Sequence, residues 1–309
     1  MKKIVVIGLI FILIVVMIPV TLGSIYAGAM RSSNVSEQDF IVTVYRSETS
    51  EHEEVELERY LIGVVAAEMP ALFHMEALRA QAIAARTYVI RILENQDYIL
   101  DTVMHQAFLD DDQLRERWGD NFDRHFATIE EAVTSTQGMV LAYDDQLITP
   151  MFFAMSSGAT ENSEDVFSSA RPYLRSVASV GYEDHENFSV ETRFSFDQLQ
   201  AIFEDDTISR RNIEVAQLSE GGNVLEINIG SNTYTGREVR ERLGLRSAAF
   251  SIETSRRGIL ITTYGHGHGV GMSQNGANAM AQNGYDYVEI LEHFYQGVEL
   301  IEKSIADYE

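Results

Sequence analysis

Residues 58–70, ERYLIGVVAAEMP, and residues 75–94, MEALRAQAIAARTYVIRILE, set the pattern from which the rest of the chain is read. In the second stretch Met75, Leu78, Ala82, Ala85, Val89 and Ile92 recur at intervals of three and four, the apolar stripe of a helix laid on a core. The first is helical from Glu58 to Glu68 and stops there, because Pro70 pushes Met69 out of α geometry. Upstream, Phe40 to Arg46 alternates as a strand, with Glu53 to Leu57 as its partner across a polar turn. Downstream, 110–125 reads as an acidic loop or surface helix, and Ile129 to Thr136 as a helix. Gly138 to Tyr143 and Ile148 to Ala154 read as a hairpin around Asp144-Asp145. A strand at Val224 to Ile229, a helix at Arg237 to Leu243 and a strand at Ile259 to Tyr264 follow. Helices from Ser273 to Asn283 and from Tyr287 to Gln296 close the chain. The fold expected is α+β, with mixed helices and antiparallel strands. A core at 39–190 resumes at 251–309, with a possible small subdomain at 191–250 between them.

The first 23 residues are of another kind. After Lys2 and Lys3, Ile4 to Gly23 carries no charge, and about twenty residues at roughly 1.5 Å each cross a bilayer core of roughly 30 Å. Lysines before the segment and none shortly after put the N-terminus inside and the bulk of the chain outside. A single-pass anchor over 1–23 with a polar tether at 24–38 is the expectation. A cleaved signal peptide is the rival, since Ala27-Gly28-Ala29 has the small-x-small form. The chain of 309 residues has no cysteine, which excludes disulfides, thiolate catalysis and Cys-based zinc sites. With 47 acidic against 23 basic residues, two of the latter ahead of the anchor, nucleic acid is excluded as a natural partner.

Four segments carry candidate chemistry. Glu68 has aliphatic neighbours in sequence and sits at a helix C-terminus; desolvation and the dipole both favour the protonated carboxyl that a general acid needs. The bland alternative is an exposed glutamate at a helix end. Residues 265–274, GHGHGVGMSQ, place four alternating glycines after a strand, where backbone can approach a ligand closely. This is a polysaccharide or anion site using His268, Ser273 and Gln274, or a metal site using His266 and His268, or a glycine-rich turn without a ligand. No HExxH, GxGxxG or Walker lysine accompanies it. Residues 156–166, SSGATENSEDV, offer hydroxyls, an amide and three carboxylates, part of which a capping box would explain. Arg79 and Arg86, seven apart on one helix face, are able to hold a substrate carboxylate, or else pair with neighbours such as Glu76.

Together these segments resemble the stage II sporulation protein D family, whose N-terminal region also occurs in the amidase enhancer of autolysis systems. The resemblance is carried by YLIGVVAAEMP at 60–70, EALRAQAIAARTY at 76–88 and SGATENSEDV at 157–166. GREVR at 236–240, LGLRS at 243–247 and GHGVGMSQNGA at 267–277 extend it, in order, across roughly residues 40–300. It implies a lytic transglycosylase that cuts peptide-stripped glycan between N-acetylmuramic acid and N-acetylglucosamine during engulfment of the forespore. The acting site would be outside the cell, at the engulfing septal membrane. The family's catalytic glutamate falls on Glu68. Arg79, Arg86, Tyr88, Ser157, Thr160, Glu161, His268, Ser273 and Gln274 become the expected glycan-binding set. Implied partners are a stem-peptide-removing cell-wall amidase and an integral membrane protein that localises the complex; no cofactor is implied. Some relatives carry cysteines beside a histidine after the long helix, but 101–106 here keeps only His105, so no zinc is expected there. Asn275 stands where an aromatic residue is common. One embedded carboxylate suits a reaction in which the sugar's own C6 hydroxyl attacks, whereas ordinary glycosidases use two. The alternatives are a non-catalytic glycan-binding enhancer of an amidase, and an inverting glycosidase using Glu161, Glu164 or Asp165 as base.

Overall fold

The structure, a computed structural model, describes residues 40–167 and 169–303. The anchor at 1–23 and the tether lie outside these residues, and among the described residues no helix is long and apolar enough to cross a membrane. The chain starts with a hairpin of β1 (Ile41–Arg46) and β2 (Glu51–Glu56), in which Val42 faces Val55. Val42 and Val44 are fully buried, so the hairpin turns its alternating apolar face to the core. β2 runs directly into α1 (Leu57–Glu68), with Glu56 as N-cap accepting from the N–H groups of Glu58 and Arg59. Met69 is extended, with φ −125° and ψ 144°, as the residue before a proline should be. α2 (Met75–Leu93) is the central helix. Its buried alanines at 77, 80, 82, 84 and 85 keep its surface small enough for neighbours to approach from several sides.

β3 (Ile99–Leu100) then joins β1 in parallel. The acidic 110–125 region forms α3 (Asp111–Trp118), started by a capping box of Asp110 and Gln113, and the beginning of α4 (Phe122–Thr134). The hairpin around Asp144-Asp145 is present but shorter than its sequence reading. β4 (Met139–Tyr143) pairs with β5 (Gln146–Leu147), and both aspartates take positive φ in the two-residue turn. The strand does not continue through 148–154, because Pro150 lacks the N–H a ladder needs. Instead β6 (Phe152–Phe153) is separate and pairs with a strand over a hundred residues away.

After a single turn, α5 (Ser163–Val166), come β7 (Ser189–Ser195), α6 (Phe196–Phe203), β8 (Ile213–Leu218), β9 (Val224–Ile229), β10 (Asn232–Tyr234) and α7 (Gly236–Leu243). β11 (Phe250–Thr254) and β12 (Gly258–Tyr264) follow, and β12 lies between β11 and β7. These elements share an apolar cluster built from Leu199, Phe203, Ile227, Val239, Phe250, Ile259 and Ile261 among others. The cluster includes β12, which lies beyond the 191–250 limits drawn from sequence. β13 (Met272–Ser273) is β6's parallel partner and leads into α8 (Gln274–Gln282). α9 (Tyr287–Phe294) and β14 (Glu299–Glu302), the latter antiparallel to β4, end the described fold. α1, α4, α8, α9 and β4 all pack on α2. The α+β expectation holds, with antiparallel pairing dominant and two short parallel pairs added.

Candidate active site

Glu68 is the last residue of α1 and is half-buried. Its Oε1 accepts from the N–H of Ala107 at 3.2 Å, and its Oε2 from Nε2 of Gln274 at 3.3 Å. The loop carrying Ala107 reaches the helix because residue 63 is glycine: a Cβ there would lie 2.4 Å from the carbonyl oxygen of Leu109. Arg117, in the last turn of α3, caps the helix end by donating to the carbonyls of Ala66 and Ala67. Burial pushes the Glu68 carboxyl above the usual carboxylate range, and the bonds from Ala107 and Gln274 pull more weakly the other way. Gln274 also lies 3.5 Å from Oε1 of the fully buried Gln81 on α2, so one amide links the acid to the central helix.

Glu68 opens into a cleft of about 600 Å³. Tyr88, Phe152, Phe153 and Phe167 supply flat apolar walls, while Val103 and Met104, 88% and 75% exposed, stand at its rim. His105, His266 and Gln274 add hydrogen-bonding groups, and Arg237 and Arg240 give one end positive charge. Among the described residues no other carboxylate lines this space. Apolar walls with a few convergent polar groups suit sugar rings.

His268 sits between the rings of Phe153 and Phe167, with centroids 5.5 and 5.6 Å away. Its Nε2–H donates to the Phe152 carbonyl at 3.1 Å, and Nδ1 accepts from the N–H of Val270. Burial pushes its pKa down to about 4. Near neutral pH it is an uncharged wall group with both nitrogens occupied, rather than a proton donor to substrate. The loop before it needs its glycines. Gly271 has φ +78°, and a Cβ there would come within 2.1 Å of the Met151 carbonyl oxygen.

Several residues expected to bind glycan have other duties. Arg86 is 1% exposed and forks onto Glu58, with Nε–Oε1 at 2.9 Å and Nη2–Oε2 at 2.6 Å. It also donates to the carbonyls of Val133, Thr136 and Met139, which exhausts a guanidinium. Substrate has no access to it. Arg79 pairs with Glu76 at 2.6 Å and donates to Ser135, and it does not line the cleft. Thr160 is fully buried and ties Arg175 to Val177 through its hydroxyl. Ser157 donates to the Gly221 carbonyl. Glu161, 1% exposed, accepts from the N–H of Asn223 at 2.9 Å and faces a cavity of about 10 Å³, room for one water molecule at most. Ser273 is the N-cap of α8 and accepts from the N–H of Gly276. Of the expected set, Glu68, Tyr88, His268 and Gln274 line the cleft.

The sequence reading missed the apolar walls at 150–154 and Phe167, the rim at 103–104, and the arginines of α7. His105 lines the cleft, with Nδ1 accepting from the N–H of Leu100. Among the described residues no three His, Cys, Asp or Glu side chains are grouped to hold a metal ion. The capping box that would have explained part of 156–166 without function is absent before α5, since Asn162 makes no side-chain cap.

A family model described as stage II sporulation protein matches residues 45–143. Stage II sporulation protein D of Bacillus amyloliquefaciens is 38% identical over 281 residues, covering 87% of this chain and 80% of that protein. Stage II sporulation protein D of Bacillus subtilis (strain 168) is also 38% identical, over 287 residues, 89% of this chain and 82% of that protein. The amidase enhancer of Bacillus subtilis (strain 168) is 27% identical over 297 residues, 78% of this chain but 40% of that protein.

Proposed function

The chain belongs to the stage II sporulation protein D family, and from that premise we propose a lytic transglycosylase acting on peptide-stripped peptidoglycan strands, with Glu68 as acid and then base. The observation that carries this reading is that, among the described residues, Glu68 is the one carboxylate lining the cleft, and burial raises its pKa above the ordinary carboxylate range. In the first half-reaction the Glu68 carboxyl gives its proton to the glycosidic oxygen as the bond from muramic C1 breaks. In the second, the Glu68 carboxylate takes the proton of the same sugar's C6 hydroxyl as O6 bonds to C1. The attack is intramolecular, and its high effective concentration replaces an activated water. Gln274 and the Ala107 N–H hold the carboxylate oriented between the two transfers.

An inverting glycosidase needs a second carboxylate at the cleft to activate water. Glu161 is sealed, and Glu164 is paired with Arg175 at 2.6 Å, a bond that holds its carboxyl at about 2. Asp165 lies in an adjoining pocket and accepts from Asn162. The similarity to the amidase enhancer favours a second reading, a glycan-binding module that stimulates a partner amidase without cleaving. In either reading the protein works outside the cell at the septal membrane, alongside a cell-wall amidase and a localising membrane protein. The test is mass spectrometry of peptide-free strands digested by the purified full-length protein in water labelled with heavy oxygen. Expected products end in 1,6-anhydro-muramic residues without label. Labelled reducing ends would reject the transglycosylase, and intact strands with amidase stimulation would favour the enhancer.

A further inference from the structure

Past His268 the cleft beside Glu68 adjoins a second cavity of about 250 Å³, and the two share Phe167, Arg237, Arg240 and His268. Arg240, on α7, stands at that junction and is half-buried. The arginines around it are all engaged. Arg237 pairs with Glu241 at 2.9 Å, and Arg242 lies over the rings of Phe203 and Tyr234. Arg246 donates to the Asn187 carbonyl and approaches His266. Arg240 is different. Among the described residues its side chain makes one hydrogen bond, from Nε to the Leu245 carbonyl at 3.4 Å, and no carboxylate pairs with it within 4 Å. Asp165 and Glu241 share the pocket without bonding to Arg240, and Glu241, paired with Arg237, acts on it only through space. In a chain with 47 acidic residues, a partly desolvated guanidinium with no carboxylate in bonding distance is a site able to take one from outside.

We propose that Arg240 recognises the carboxylate exposed on the lactyl ether of muramic acid when a stem peptide is removed. The inference rests on the glycan-cleaving reading above for the identity of the polymer. In intact peptidoglycan that carboxyl is an amide, neutral and poor as a guanidinium partner. Hydrolysis of the amide leaves an anion of the planar shape that a guanidinium fork binds with two parallel bonds. Arg240 is then the specificity-determining residue that couples the cleft to prior peptide removal. The arginine expected from sequence to hold a substrate carboxylate, Arg86, is spent inside the core, and Arg240 takes its place on the cleft.

Binding separates this from catalysis. The probe is a fluorescent peptide-free glycan strand of defined length, beside the same strand with its lactyl carboxyls converted to methylamides. Affinities are measured on the full-length Glu68→Gln protein, which retains strands without turning them over. The free-acid strand should bind about tenfold tighter than the amide strand, the scale of one charge-assisted hydrogen-bond pair. Adding Arg240→Gln should remove that ratio by weakening only the acid strand. Arg240→Lys should keep part of it, and Arg79→Gln, whose parent side chain is committed to Glu76 and does not line the cleft, should keep nearly all. Equal binding of the two strands by the parent, or an unchanged ratio in Arg240→Gln, overturns the proposal. Because the ligand's charge is altered chemically, the parent measurement stands even if an arginine variant misfolds. Wild-type cleavage of both strands at equal rates, unaffected by Arg240→Gln, would sink this inference and leave the transglycosylase standing. Absence of cleavage, with the ratio still lost in Arg240→Gln, would do the reverse.

Discussion

At the end of α1 and in the turn before α5, two glutamates have their pKa raised by burial, the same physical cause in both. Glu68 meets a cleft that can take sugar rings. Glu161 is sealed by Gly221 and Gly269, whose added Cβ atoms would lie 2.6 and 2.8 Å from its side chain. Its Oε1 is bonded to backbone, and Oε2 has no protein partner among the described residues. A desolvated carboxyl is therefore not by itself an acid for substrate; access to a ligand-sized space makes the difference.

The largest expected effect tests that contrast directly. Glu68→Gln should lower strand cleavage by about 10²–10⁴-fold or more, since glutamine keeps the shape but delivers no proton. Glu161→Gln should leave the rate within about threefold, as its carboxyl never touches substrate. Release of soluble fragments from labelled strands measures both, and loss of activity in Glu161→Gln alone would invert the comparison.

Burial for structure and burial for chemistry divide the arginines too. Arg86→Ala should cost about 3–5 kcal/mol in urea unfolding, because Glu58 would be left charged and unpaired inside. Arg79→Ala, at a partly exposed pair with Glu76, should change stability by only about 0.5 kcal/mol. Comparable losses for the two would remove the distinction.

A smaller effect concerns pH. Glu68 holds its proton above the ordinary carboxylate range, so kcat/KM should fall as pH rises through that raised pKa. His268, with its pKa near 4, should add no step around 6.5. Stability has the matching sign. The folded state binds the Glu68 proton more tightly than the unfolded chain does. Wild-type stability therefore declines from the ordinary carboxylate value up through the raised one. Glu68→Gln should then melt at or above wild type at neutral pH, with the gap closing in acid. A variant that melts lower at neutral pH would show that the carboxylate stabilises the fold. The smallest expected effect is none: treatment with a chelator should leave cleavage and melting temperature unchanged, and parallel loss of a bound metal and of activity would promote His105, His266 and His268 to ligands.

Local pattern made part of this molecule legible. The stripe from Met75 to Ile92 and the stop at Pro70 specify α1 and α2 within a residue or two, because both signals act over a turn or less. Glu68 could be singled out for the same reason, as its aliphatic neighbours are sequence neighbours. Longer-range features escaped. Nothing near Arg86 in sequence announces that Glu58 and three carbonyls from 133–139 converge on it. The helix 236–243 was legible, but which of its arginines would meet the cleft depends on packing between distant segments. β6 could not be separated from the hairpin, because its partner is β13. Ser273 did carry a local signal, a serine opening a helix, and the cap rather than the ligand was the reading to take.

The pairing of β6 with β13 has a mechanical consequence. Phe152 and Phe153 stand opposite Met272 and Ser273, and the next residue, Gln274, holds the acid. The aromatic wall and the amide that aims Glu68 are thus mounted on one bracket, although the chain between them travels out through β7 to β12 and back. Insertions or loosening in that excursion can alter the far end of the cleft while the near end keeps its alignment, so affinity for the strand and the setting of the acid are free to vary separately.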